Sequence, residues 1–376
     1  MHHLNNVAGS IENHITEVFR KMFKKMWIRF LLFLVLLFLL FSGSNCYLIK
    51  QASFILYYNN KAVNTEKIVK DTATDLQTKK FLNLVNEIRQ YAVDSVGLKR
   101  NSNYTRYVKT DRNYLVDVVS ACDPVSFEKY QWRFPFFGSV PYKGFFEKKD
   151  AENESRKLSA KGLDINIDEV DAFSTLGFFS DPLYSFMSSY SAFGLASLII
   201  HEQTHATIFI KNQISFNEQT ATFVGNQGAI DFVKQKFGED SEIFKNILIS
   251  QLDHKTYLNS LRALVNDLKN VYDSKALTKN EKLDEKEKII KLYKDNINTN
   301  YNSLFKTQRF RGIEKAKINN AFLSARMTYT LNLEHFNKLY IKKNYDLKET
   351  VTYLKSLQKM KNKNPEKILE SEVKSN

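Results

Sequence analysis

The chain has 376 residues, of which 43% are hydrophobic and 13% aromatic, with 5 prolines and 12 glycines. That composition supplies a packed core and excludes a disordered, collagen-like or solenoid protein. Lys plus Arg outnumber Asp plus Glu by 55 to 41, a net charge of +14, but the basic residues are dispersed and no aromatic-interleaved basic patch accompanies them, so no nucleic acid is expected as a partner.

Residues 1–45 read as an address. Arg20, Lys21, Lys24, Lys25 and Arg29 precede the apolar run Phe30–Phe41, and Ser42-Gly43-Ser44-Asn45-Cys46 follows it. A positive region, a short apolar stretch and a small-residue exit describe an export signal. Twelve residues at about 1.5 Å each fall short of the roughly 30 Å hydrocarbon core, although extension to Ile49 brings the segment nearer to spanning length. Cys46 stands where an exported lipoprotein is acylated. Two anchors are therefore open, a lipid on Cys46 or a retained N-terminal helix, and both place the rest of the chain at the cell envelope, on a membrane.

The remainder divides into 46–130, 131–340 and a basic tail, 341–376. Phe81, Leu82, Val85, Ile88 and Ala92 recur at helical spacing within 60–98. Tyr114-Leu-Val-Asp-Val-Val119 predicts a strand. Residues 131–147, with Pro135, Gly138, Pro141 and Gly144 among aromatics, predict an ordered, turn-rich loop. A second strand is expected within Asp164–Phe179, of which Ala172–Phe179 could pair with an extended peptide. Ala192–Ile210 is too long and too apolar for a strand and predicts a buried helix. From Asp231 onward the pattern is that of amphipathic helices, with the charged run Lys279–Lys288 as a solvated face and the last thirty residues as a frayed helix and tail.

The buried helix holds His201-Glu202-Gln203-Thr204-His205. At about 100° per residue His201 and His205 share one face and can reach one ion, while Glu202 projects beside them. Zinc held in this way acidifies its water to a pKa of about 7, and the carboxylate is placed to take the proton. Two histidines and a glutamate unpaired in an apolar helix would be costly, which a metal would relieve. A third ligand is needed. Glu218 follows a short polar turn and is the first candidate, but Ser215-x-x-Glu218 also reads as a capping box; His254 and Asp231 are weaker alternatives.

Several further stretches, co-linear over about residues 46–340, carry a resemblance. They are Trp132–Pro135, Gly138–Phe146, Gly162-Leu163-Asp164, Ala172–Pro182, His201–His205, Phe216-Asn217-Glu218, Asn319–Leu323 and Tyr329. Together they resemble the bacterial family of predicted aminopeptidases, zincin-type metallopeptidases often exported as lipoproteins. The chain departs from it modestly, with Gln203-Thr204 between Glu202 and His205 where Leu-Ala is common, and Ser139 where a cysteine is frequent. The resemblance implies an α+β, mainly helical, gluzincin-like fold with a small sheet beside the His-Glu-x-x-His helix and a helical C-terminal part. It also implies Zn2+ on His201, His205 and Glu218, Glu202 as base, and peptide substrates. Tyr329 is its candidate donor to the developing oxyanion. The expected function is a membrane-anchored zinc aminopeptidase, with a zinc endoprotease or a catalytically silent binding lipoprotein as alternatives. Oligomeric state is not legible.

Overall fold

A computed structural model of the chain describes residues 27, 30, 31, 46–134, 138–171, 180–328, 333–360 and 364–374. The chain forms two compact units, residues 1–60 and 61–376. In the first, helix α1 (Cys46–Lys61) is described; no described helix is long and apolar enough to cross a membrane. The apolar run Phe30–Phe41 lies largely outside the described residues.

The second unit is mainly helical with three small β elements, an α+β arrangement as expected. It opens with β1 (Val63–Asn64), α2 (Thr65–Lys70) and α3 (Leu76–Asp94). Asp75 caps α3 by accepting the Thr78 N–H (2.8 Å), and Phe81, Leu82, Val85, Ile88 and Ala92 form its buried stripe, the period read from the sequence. Strand β2 (Arg106–Val108) pairs antiparallel with β1 and parallel with β8 (Leu183–Tyr184).

The predicted strand is realised as β3 (Val116–Cys122), the centre of a second sheet between β6 (Tyr142–Phe145) and β7 (Asp164–Val170), all antiparallel. Val118 stands opposite Gly144 on one side and Asp168 on the other. Where a loop was expected, β4 (Trp132–Phe134) and β5 (Gly138–Val140) make a hairpin that leads into β6. Trp132 and Phe134 there pair with Val140 and Gly138. Helix α4 (Lys148–Ser159) packs on this sheet through Ala151 and Leu158.

Next come α5 (Ala192–Thr207), α6 (Ile214–Phe237), α7 (Glu242–Asp273) and α8 (Lys279–Leu304). They are followed by α9 (Asn320–Thr328), α10 (Glu334–Lys342), α11 (Leu347–Ser356) and α12 (Pro365–Lys374). Two expectations differ from this. The charged run at the start of α8 is mostly exposed, but Lys286 is buried: its ammonium meets Asp164 Oδ2 at 2.5 Å and the Pro124 carbonyl at 3.0 Å. Asn320 completes that hub. Its N–H donates to Asp164 (2.8 Å), its amide to the Asp123 and Ser126 carbonyls, and its Oδ1 accepts the Tyr272 hydroxyl. A buried ammonium is tolerable only because its donors are satisfied in this way. The lysine-rich C-terminus is likewise not a frayed tail but α11 and α12, with Val351, Leu354 and Leu369 buried. The lysines lie between apolar residues at helical spacing, which the net charge of the segment obscures.

Candidate metal centre

Helix α5 exists because its sequence is apolar on nearly every side and capped at its start. Ser191 Oγ accepts the Gly194 N–H at 3.1 Å, and Leu195, Ala196, Ile199 and Ile200 are fully enclosed. Each large side chain so buried contributes about 1.5–3 kcal/mol, enough to hold polar groups in the same helix. The helix ends at Ile208 in extended backbone, and Asn212, in the left-handed region at φ +63°, reverses the chain. Asn217 fixes that reversal: its amide donates to the Ile210 carbonyl (2.8 Å) and its Oδ1 accepts the Ile210 N–H (2.9 Å).

The clamp settles how α6 begins. Its N-cap is Gln213, without a side-chain cap bond, so Ser215 lies inside the first turn and accepts instead from the Gln219 amide (3.1 Å). The capping box is not formed. Glu218 turns to the histidines, with Oε1 3.4 Å from His205 Nε2 and Oε2 3.7 Å from His201 Nε2. The two Nε2 atoms are 3.1 Å apart and their rings nearly perpendicular, at 82°. One glycine makes this possible. A Cβ on Gly225 would stand 2.8 Å from the Ser197 carbonyl and 3.0 Å from His201 Cβ, so α6 crosses α5 in direct contact with the turn that carries His201. Gly225 lies seven residues, almost two full turns, beyond Glu218 and so shares its face.

The His201, His205 and Glu218 donor atoms lie within 4.8 Å of one another, and they form the one such His, Cys, Asp or Glu group found among the described residues. Donors about 2.0–2.1 Å from a tetrahedral zinc ion are about 3.3 Å from each other. The two Nε2 atoms, 3.1 Å apart, and the His205 Nε2–Glu218 Oε1 pair, at 3.4 Å, lie close to that value, while the other carboxylate oxygen is 3.7 Å from His201 Nε2. Two imidazoles and a carboxylate, partly open to solvent, therefore fit such an ion. Neither weaker alternative joins them. His254 stacks on Phe310 with centroids 6.2 Å apart, and Asp231 accepts from the Gln227 amide at 2.9 Å. Tyr329 and Ala172–Phe179 lie outside the described residues.

The electrostatics follow from crowding. Burial, helped by the neighbouring His205, pushes the His201 imidazole down to about 4 against the pull of Glu218. Burial also works against charging His205, but the Glu218 hydrogen bond and carboxylate outweigh it and raise its proton affinity. Glu218 is held below the usual carboxylate range by its His205 hydrogen bond. Glu202 is pushed up to about 7, first by burial and then by the Asp181 and Glu218 charges. A carboxylate so placed can exchange a proton near neutral pH.

The family model described as Putative aminopeptidase matches residues 46–369. The chain belongs to that family. The match begins at Cys46 and runs through α11 into α12, so the C-terminal helices are part of the family's common body. No curated protein and no solved structure matches the chain. Three residues that hold the site went unnoticed as such in the sequence: Asn217, Gly225 and Gln203, whose amide donates to the Lys99 carbonyl (3.0 Å). Gly225 and Gly228, three apart inside an unbroken helix, were the available signal, because interior glycines cost helix stability unless something must approach closely.

Proposed function

We propose that the chain is a zinc-dependent peptidase in which His201, His205 and Glu218 hold the ion and Glu202 is the general base. The observation that carries this reading is the convergence of one donor atom each from His201, His205 and Glu218 within 4.8 Å of one another, with the two imidazole nitrogens 3.1 Å apart. When bound, zinc would supply Lewis-acid chemistry, acidifying water and polarising the scissile carbonyl. Glu202 takes the proton of the attacking water and returns it to the leaving amine. Tyr329 keeps its proposed place as donor to the oxyanion on family position alone. Family membership supports peptides as substrates.

In this proposal the catalytic body spans 131–340. The chain is exported by its N-terminal segment and held at the envelope by a lipid on Cys46 or by a retained helix. Metal analysis of purified protein, with a peptide panel assayed before and after chelation, tests the reading. About one zinc per chain and hydrolysis that chelation removes and zinc restores are expected. Full hydrolysis by metal-free protein overturns it.

A further inference from the structure

The chain reversal between α5 and α6 separates the two parts of the proposed metal centre. His205 lies just before it, near the end of α5, and Glu218 lies just after it, early in α6. A helix leaves its last carbonyls without helical partners, and the residues that follow it must find acceptors of their own. Ile208 still donates to the Thr204 carbonyl at 2.7 Å, and Ile210 is held by Asn217. The Thr207 carbonyl and the Phe209 N–H are left to be matched from outside the helix pair.

One side chain matches both. Gln358 Oε1 accepts the Phe209 N–H at 3.1 Å, and Gln358 Nε2 donates to the Thr207 carbonyl at 3.3 Å. Gln358 is 151 residues beyond Thr207, in the 3₁₀ turn Leu357–Lys359 that follows α11. That base is firm. Val351, Leu354 and Leu357 are buried, and Leu347 packs on the α5–α6 pair: a Cβ on Gly228 would stand 3.0 Å from Ile200 Cδ1 and 3.5 Å from Leu347 Cδ2. Lys348 ties the start of α11 to the end of α3, donating to the Asp94 carbonyl at 3.0 Å. The segment after α3 in turn gives the Lys99 N–H to Thr207 Oγ1 at 3.0 Å. Thr207 is thus gripped at its side chain by Lys99 and at its carbonyl by Gln358.

The reversal has little packing of its own to hold it. Phe209 is 62% exposed and Ile214, the first residue of α6, is 76% exposed. Hydrogen bonds must therefore fix its course, and that course decides where α6 starts and where Glu218 points. We propose that Gln358 is a positioning residue: through Thr207 and Phe209 it fixes the reversal that brings Glu218 to His201 and His205. The seating of the C-terminal helix α11 is thereby coupled to metal binding. This rests on the zinc reading and adds a support for the site that comes from the far end of the chain.

The first measurement is zinc affinity, read by chelator competition on the whole chain. Gln358→Met keeps the length of the side chain and removes both bonds. It should weaken zinc binding about 10-fold, the low end of the cost of losing an outer support of a metal ligand. Asp75→Ala, which strips α3 of its cap, is the control. It should lower the urea midpoint of the metal-free protein by a comparable amount and leave zinc affinity unchanged. Hydrogen exchange supplies a readout without metal: the Phe209 amide should exchange faster in metal-free Gln358→Met than in wild type. Because coupling is reciprocal, zinc should slow that amide in wild type more than in the variant. Unchanged zinc affinity or unchanged Phe209 exchange in Gln358→Met overturns the proposal, as does an equal loss of zinc affinity in Asp75→Ala. Failure of the zinc reading looks different: wild type itself then holds no zinc, whatever the exchange of Phe209.

Discussion

Replacing Gly225 by alanine separates the described packing from ordinary helix propensity, because the two predict opposite signs. In an exposed helix the change stabilises by about 0.8–1 kcal/mol. Here the new methyl would lie 2.8 Å from the Ser197 carbonyl oxygen, 3.0 Å from His201 Cβ and 3.2 Å from the His201 nitrogen. Comfortable separations between such atoms are about 3.5 Å. Two of the three neighbours are backbone and cannot swing aside, so α5 and α6 must part by several tenths of an ångström. Overpacking of this kind costs about 1–3 kcal/mol, and the Ser197–Asn226 hydrogen bond, 3.0 Å across the same crossing, is stretched with it. Set against the propensity gain, the net is a loss of up to about 2 kcal/mol, or up to a few degrees in Tm. Because the displaced turn carries His201, zinc affinity should fall as well. Urea unfolding of the metal-free protein and a chelator competition for zinc read the two effects. Gly194→Ala is the control: its Cβ would meet Ser191 Oγ at an ordinary 3.4 Å, so neutrality or a gain of up to about 1 kcal/mol is expected. A Gly225→Ala protein more stable than wild type, with zinc affinity unchanged, would refute the close crossing.

Three further outcomes are expected. Glu202→Gln should keep zinc and the fold while losing about 10²–10⁴-fold in kcat, the usual range for a general base; wild-type turnover in that variant would make Glu202 structural. Asn217→Ala removes both bonds to Ile210 and should cost about 1–3 kcal/mol by denaturant unfolding, with weaker zinc binding because Glu218 is the next residue. Burial pushes the Asp181 carboxyl from the ordinary carboxylate range up to about 6, so the unfolded chain ionises first as pH rises, and folding loses stability across that interval. Metal-free Asp181→Asn should therefore gain stability relative to wild type between about pH 4 and 6 and hold a constant advantage above, whereas a difference independent of pH would contradict the described burial.

The sequence made the helical core of this site readable and left its supports hidden. His201, Glu202 and His205 are local: their mutual placement follows from one helix period. The stripe of α3 and the apolar α5 were readable for the same reason. Glu218 was ambiguous because Ser215-x-x-Glu218 is one pattern with two physical solutions. Only the bidentate Asn217 clamp, which starts α6 ahead of Ser215, decides between them. Contacts across long sequence separations had no comparable signal. Gln203 and Thr207 meet Lys99 more than 100 residues away, and Lys286 finds Asp164 across 122. Net charge misled twice, at Lys286 and in α11 and α12, because it counts ammonium groups without asking which apolar residues lie between them.

The central claim, that two histidines and Glu218 form one zinc site, is tested most directly by the metal content of Glu218→Gln. Wild type dialysed against trace zinc should retain about one ion per chain. The amide keeps the shape of the side chain but removes the charge of one of the three protein ligands usual in a catalytic site, so the variant should retain far less zinc while unfolding at nearly the same urea concentration in the metal-free state. A Glu218→Gln protein that holds zinc as tightly as wild type would contradict the account and place the third ligand elsewhere.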